Sequence, residues 1–411
     1  MTVPPDERDP RLKGPLAGLR GIEMGQLLAG PFVGSRIADF GAEVIKVESP
    51  GRGDSMRDWG HHRYRNRSLW WPVLARNKKS VTANLREPQG QDLIRRLVAK
   101  VDLLIENFKP GRLEKWGLGC EALHRINPRL IIVRVSGYGQ TGPYTDRPGF
   151  ASAGEAMGGL RYINGYPGQP PPRCGISLGD TLTGMFAVQG LLMALYWRDA
   201  LGGGKGQVVD AAISESCFAM MESALLEYDT LGVIREPSGT GLAHVAPSNI
   251  YPTSDGKWVV VAANLDPMFR RLCAAMGRPE LAQEPRFQNH KSRGDNAAEI
   301  DRLVAEWTKT KTARELDTLL NEHGVVCSPI NSIADIARDP QFLARGMIRR
   351  FDDPHLGDVA VPGIVPKLSE VEGDIAWLGP AEPGTHNREI YGGMLGLGDD
   401  ELAALENDGI I

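Results

Sequence analysis

The sequence predicts an α/β protein built around a mostly parallel sheet with helices on both faces, followed by a smaller α+β domain. Two observations carry this. Between about residues 18 and 136, short β-branched runs alternate with segments whose apolar residues recur at helical spacing, which is the pattern of successive βαβ units. At Arg235–Gly241 (REPSGTG) the composition shifts, and a strand followed by several amphipathic helices comes next. A chain of 411 residues is also too long for a single core.

In chain order, the expected strands of the first domain are Leu19–Gly25, Ala42–Val47, Val81–Asn84, Asp102–Glu106 and Leu130–Val135. Helical spacing falls at Phe32–Phe40, Pro88–Lys100 and Leu113–His124. On such sheets ligands bind at the carboxyl ends of the strands, where Asn107–Gly111 and Gly137–Pro143 lie. Residues 145–180 are rich in Gly and Pro and read as a long functional loop. An uncharged apolar stretch, Thr181–Trp197, follows. It reads as a buried core helix, just short of a membrane span. Gly202–Gly206 closes it as a turn, and a second apolar segment runs to about Leu231. Beyond the composition shift, a strand is expected at Lys257–Ala262, helices near 266–276, 296–308 and 313–322, and a strand at Val325–Ile330. The last 80 residues hold two short strands and a helix near 399–406. The expected domains are therefore 1–231 (large), 232–330 (small) and 331–411, a segment returning to the first.

Apolar residues make up 42% of the chain and charged residues 24%, with a formal net charge of −4. That balance gives no global attraction to nucleic acid or to an anionic membrane. Residues 1–15 have no apolar signal core and read as a frayed polar arm. The five cysteines are scattered without a CxxC pair, so neither a zinc site nor a disulfide framework is expected, and a cytoplasmic location is. GGGKG at 202–206 lacks the spacing and the Ser or Thr of a phosphate loop. The first βαβ unit lacks GxGxxG, so Glu48 at the end of the second strand is weak support for a nicotinamide site.

Two features carry chemistry. Residues 57–86 hold eight basic side chains and one acid, a local charge of +7 interleaved with Trp59, Tyr64, Trp70, Trp71, His61 and His62. Arginine forks beside aromatic plates suit a ligand with phosphates and a ring, although a solvated charged face is the ordinary reading. Asp180 directly precedes the apolar helix. An N-cap role is the ordinary reading, and the same placement would hold an ionised carboxylate fit to act as a nucleophile. No HExxH, GxSxG or Cys–His pairing is present.

Several motifs resemble the class III CoA-transferase family, the group that includes formyl-CoA transferase, carnitine CoA-transferase and α-methylacyl-CoA racemase. They are LLAGPFVGSRIADFGAEVIKVESPGRGD (27–54), RNKKSVTANL (76–85), LIENFKPGRLEKWGL (104–118), SLGDTLTGMFAVQGLLMAL (177–195) and GGKGQVVDAAISES (203–216). The middle and C-terminal segments look most like the branch that moves CoA from succinyl-CoA to another dicarboxylate. The resemblance implies a Rossmann-like large CoA-binding domain, a small domain and an interlocked homodimer. It implies acyl-CoA and a small organic acid as substrates, with no tightly bound cofactor and no metal. It makes Asp180 the nucleophile that carries CoA as an aspartyl thioester. Positions matching the family's CoA contacts are Leu28, Ala29, Ser49, Arg86, Asn107, Phe108 and Lys115. Formyl-CoA transferase has Gln in place of Leu28 and Arg in place of Ser49 and Lys115, and the basic patch is expected to compensate at the CoA phosphates through residues such as Arg86 and Lys79. Further substrate-site candidates are Phe150, a mobile glycine loop at Gly239 and Gly241, and His61, Arg63 and Arg65.

Two other functions compete. The racemase branch needs a His-Asp pair, and Phe150-Ala151 stands there instead. A non-catalytic acyl-CoA binder would use Asp180 only as a helix cap.

Overall fold

Six strands form one parallel sheet in the computed structural model, which describes residues 9–411. They are β1 (Arg20–Glu23), β2 (Glu43–Glu48), β3 (Lys78–Thr82), β4 (Leu103–Glu106), β5 (Ile131–Ser136) and β6 (Val208–Ala212). Their spatial order is β3-β2-β1-β4-β5-β6, with every neighbouring pair parallel. The chain therefore builds outward from β1 in one direction, then crosses back to continue from β4 in the other. The resulting switch point between β1 and β4 opens a crevice at their carboxyl ends.

β1, β2, β4 and β5 are buried along their whole length, as a parallel sheet covered on both faces requires. Successive side chains serve opposite layers. Leu103 and Ile105 pack with Val33 and Ile37 of helix α1 (Ala29–Asp39), whereas Leu104 packs with Leu93 and Leu97 of α2 (Pro88–Val98). The C-terminal residues Tyr391, Leu402, Ile410 and Ile411 belong to the α2 layer.

Several elements differ from the sequence reading. The loop expected over 145–180 contains helix α3 (Ala151–Met157) and a helical turn, Leu160–Ile163. Glycine obscured α3. A Cβ on Gly154 would lie 2.4 Å from Ile213 and one on Gly158 2.5 Å from Cys217, so these glycines permit close packing. The apolar helix is longer than expected, α4 (Leu178–Asp199), and at 22 residues it is long and apolar enough to cross a membrane by length and composition. It is not a buried core helix all round: Ala187, Leu191 and Ala194 face the sheet, while Met185, Phe186, Leu192 and Met193 are exposed. The apolar segment after the glycine turn begins as β6 and then forms α5 (Ile213–Phe218). The helix expected at Leu113–His124 is two, Arg112–Lys115 and Cys120–Ile126, parted by Gly117 in a left-handed conformation (φ +65°). The N-terminal arm lies outside the described residues up to position 8. From Asp9 onward it is tied down, with Asp9 against Lys79 at 3.1 Å and Arg11 over the Trp377 ring.

The chain divides into two compact units. The first comprises the described residues of Met1–Leu160, Cys174–Glu222 and Ala344–Ile411; the second comprises Arg161–Arg173 and Ser223–Leu343. The second unit thus starts earlier and ends later than the expected 232–330, and takes in the short stretch after Leu160. Its core is a three-stranded antiparallel sheet, with Trp258–Ala262 between Ser248–Pro252 and Val326–Pro329. Helices Asp266–Ala275, Ala297–Thr308 and Ala313–Glu322 contribute Leu272, Val304 and Leu316 to that core.

Candidate active site

A cavity of about 470 Å³ lies at the switch point, and it brings together Leu28, Ala29, Asn107, Phe108, Phe150 and Asp180. The sequence reading had named all six. Each is placed by a local device.

The loop after β1 is shaped from below by charges. Glu23, Lys46, Lys78 and Asp54 are fully or almost fully buried. Lys46 Nζ lies 2.9 Å from Glu23 and 2.6 Å from Asp54, and Lys78 Nζ lies 2.6 Å from Glu23. Lys46 also donates to the Gly25 carbonyl and Lys78 to that of Pro31. The four charges cancel, which is what permits them in a dry interior. Burial pulls the Lys78 ammonium below its usual range against the opposing pull of Glu23, whereas Lys46, facing two carboxylates, is held above it despite burial. Asp54 Oδ1 accepts the Leu27 N–H at 3.1 Å. Leu27 itself sits at φ +62°, a left-handed conformation costing a non-glycine residue roughly 1 kcal/mol. Leu28, which follows, is the N-cap of α1, and Ala29 is its first residue.

Across the crevice, Glu106 Oε2 accepts the Phe108 N–H at 2.7 Å and its other oxygen accepts from Arg134. Burial pushes the Glu106 carboxyl up, opposed by Arg134. The Phe108 ring meets Trp116 edge-on at 5.2 Å.

Asp180 is in the first turn of α4, which opens two residues earlier at Leu178. It is not the N-cap that the sequence suggested; Ser177 holds that position. The buried Glu155 of α3 accepts the Gly179 N–H at 3.1 Å. A Cβ on Gly179 would meet both Glu155 and Ile213 at 3.1 Å, so the turn carrying Asp180 is wedged between α3 and α5. Burial, with the carboxylates of Glu155 and Asp180 nearby, pushes the Cys217 thiol up to about 11. Cys217 is therefore neutral and a poor nucleophile.

Other cavity residues escaped the sequence reading. Gln26 and Leu27 stand beside the motif positions, and Arg147 lines the cavity with its guanidinium 3.5 Å from the Tyr144 ring centroid. The segment Arg147–Phe150 (RPGF) is held against the loop leaving β5 by a glycine pair, since a Cβ on Gly137 would lie 2.7 Å from Gly149. The available signal for Arg147 was its place three residues before Phe150, which the sequence reading names.

The remaining expected residues do not join this cavity. Ser49, Arg86 and Lys115 are exposed elsewhere on the first unit. Gly239 and Gly241 belong to the second unit, where the Gly239 N–H donates to Gly165 and Gly241 packs by Asn249. His61 is exposed, while Arg63 and Arg65 line a separate cavity. Much of the basic patch is structural. Arg76 makes a bidentate pair with Asp39, Arg57 with Glu48, and Lys79 faces Asp9, Glu43 and Glu389. Lys79 is buried and cannot reach a CoA phosphate. Glu48 also accepts from Ser80, which leaves it no part in holding a ribose. Among the described residues, no cluster of three or more His, Cys, Asp or Glu side chains could hold a metal ion.

The profile of CoA-transferase family III matches residues 16–387. Succinyl-CoA–D-citramalate CoA-transferase of Chloroflexus aurantiacus is 54% identical over 98% of this chain and 99% of its own length. Succinate–glutarate CoA-transferase of Agrobacterium fabrum is 36% identical over 86% of this chain and 89% of its own. The crystal structure of a CaiB/BaiF family protein from Brucella suis superposes with a TM-score of 0.82 at 34% identity, covering 93% of this chain and all of that one. The chain belongs to CoA-transferase family III and is a CoA-transferase.

Proposed function

We propose that this enzyme moves CoA from succinyl-CoA to a short dicarboxylic acid through an aspartyl-CoA thioester on Asp180. The observation that carries this reading is the placement of Asp180 at the start of α4, facing the crevice between β1 and β4. Relatives named for succinyl-CoA with citramalate or glutarate support the substrate class.

The Asp180 carboxylate attacks the donor thioester carbonyl; the C–S bond breaks and CoA thiolate leaves, giving a mixed anhydride. The thiolate then attacks the Asp180 carbonyl and succinate departs, leaving the aspartyl thioester. The acceptor carboxylate attacks that thioester and releases the thiolate, which attacks the acceptor's carbonyl and frees Asp180. The helix N-terminus favours the carboxylate whenever it is regenerated. Leu28, Ala29, Asn107 and Phe108 hold the CoA side of the crevice. Arg147 pairs with the far carboxylate of the acid, because it and Lys109 are the cationic side chains of the cavity. The working form is an interlocked homodimer, a reading supported by the exposed apolar face of α4, which a second chain would cover.

Incubating the enzyme with succinyl-CoA and each of D-citramalate, L-malate and glutarate, then separating the acyl-CoA products, tests the substrate class. New acyl-CoA with at least one acid is expected. Hydrolysis alone, or no turnover with any acid, contradicts the proposal.

A further inference from the structure

A second cavity, of about 330 Å³, lies in the first unit and shares no lining residue with the Asp180 cavity. Five arginines line it: Arg52, Arg57, Arg63, Arg65 and Arg67. Three of them face carboxylates, Arg57 on Glu48, Arg63 on Asp58 and Arg67 on Glu382. Arg52 and Arg65 have no carboxylate within salt-bridge distance among the described residues. The cavity thus holds two guanidinium groups without an ion-pair partner. Asp353, also in its wall, accepts the His355 and Leu356 N–H groups of its own turn on Oδ1 and leaves the five arginines one positive charge in excess of the carboxylates around them.

The arrangement is built rather than incidental. Arg63–Tyr64 and Arg67–Ser68 form a hairpin whose two turn residues, Arg65 and Asn66, have φ +49° and +58°. Asn or Gly is the usual occupant of such a position. Arg65 nevertheless occupies it and reaches across the cavity to donate to the His355 carbonyl at 3.1 Å. Gly357 permits the approach, since a Cβ there would come 3.3 Å from the guanidinium. Arg57 and Arg67 converge on the Ala381 carbonyl at 2.8 and 2.9 Å, and Arg57 is stacked on Trp71 at 3.9 Å. One N–H of Arg65 is used; the others are open to a ligand.

We propose that this cavity binds a phosphate dianion. Arg52 and Arg65, the two guanidinium forks without a carboxylate partner, can offer paired N–H groups to phosphate oxygens, for which planar forks are suited. A short acid whose carboxylate reacts at Asp180 does not fill a separate cavity. A CoA molecule is long enough to reach beyond the site of reaction, and Gly51 and Arg52 of this cavity lie two and three residues after Ser49 on the loop leaving β2. The same loop carries Asp54, which holds Leu27 in the Asp180 cavity. The phosphate is either the 3′-phosphate on the ribose of CoA or free inorganic phosphate. The first source rests on the CoA-transfer reading; the second does not.

Titration calorimetry with CoA, 3′-dephospho-CoA and inorganic phosphate separates the two. The proteins are the wild type, Arg65→Asn, which suits a left-handed turn and keeps the hairpin, and Arg52→Gln, with melting curves to establish folding. For the 3′-phosphate, wild type binds CoA about tenfold or more tighter than 3′-dephospho-CoA, and each variant loses that margin. For free phosphate, the two nucleotides bind wild type alike, and phosphate binding is seen in wild type and lost in the variants. A margin that survives both substitutions overturns the proposal, as does the lack of any variant-sensitive phosphate binding. Failure of CoA itself to bind would count against the transferase reading and leave the phosphate titration to decide this one.

Discussion

Asn107 bridges the switch point by gripping both backbone groups of Gln26: its Oδ1 accepts the Gln26 N–H at 2.8 Å and its Nδ2 donates to the Gln26 carbonyl at 3.0 Å. The two loops that flank the crevice are thereby one unit. Gly25 and Gly30 leave room for the amide, since a Cβ on either would come within 2.5 to 3.1 Å of it. Asn107→Ala removes both bonds and leaves a backbone donor unpaired, a cost of about 1–3 kcal/mol. Steady-state kinetics should show KM for the acyl-CoA donor raised about tenfold or more, with the protein still folded by circular dichroism. An unchanged KM would contradict the bridging role.

The buried tetrad under the β1 loop is a stability element. Glu23→Gln keeps the shape but removes the carboxylate that faces both Lys46 and Lys78. Leaving an uncompensated buried charge costs about 3–5 kcal/mol. The urea midpoint of the transition that melts the parallel sheet should fall markedly. A change equivalent to less than about 1 kcal/mol, the size of a surface pair, would contradict the assignment.

His386 gives a pH dependence with a definite sign. Its Nδ1 accepts the Ser80 N–H at 3.1 Å, and burial holds its pKa below the ordinary value, with Glu389 pulling the other way and Lys79 and Arg11 adding to the depression. The unfolded chain therefore takes up the proton first as pH falls below about 6.5. The stability contributed by neutral His386 is complete above that pH and is lost between it and the lower folded value. Thermal melting from pH 7.5 to 5 should show a decline that His386→Asn makes shallower. Parallel declines in the two proteins would contradict this.

Arg147 tests the acceptor side. Arg147→Gln should raise KM for the dicarboxylate by about tenfold or more, the size of a charge-assisted contact, and leave KM for the acyl-CoA donor nearly as it was. Equal effects on both substrates would place Arg147 on the CoA side instead.

Much of this was legible in the residues, and the failures have physical causes. Five of the six sheet strands were marked by β-branched runs. β6 was missed because it is an edge strand with Asp210 in its middle and an exposed start. β3 was read three residues late because Lys78 and Lys79 look like surface residues, and only their carboxylate partners make them core. The same pairing removed Arg57, Arg76, Lys78 and Lys79 from a patch that local charge alone presented as a ligand surface. Asp180 was found through its motif, but its place inside the first turn depends on Glu155, 25 residues earlier, receiving the Gly179 N–H. Leu27 opens a family motif, but its left-handed φ was not legible, since the Asp54 carboxylate that accepts its N–H lies 27 residues later on another loop.

The most direct test of the Asp180 assignment is intact mass spectrometry of the enzyme mixed with succinyl-CoA and no acceptor, beside Asp180→Asn. A mass gain of one CoA less one water, discharged by hydroxylamine and absent from the variant, is the expected result. An adduct that persists in Asp180→Asn, or none in wild type despite measurable succinyl-CoA binding, would contradict it.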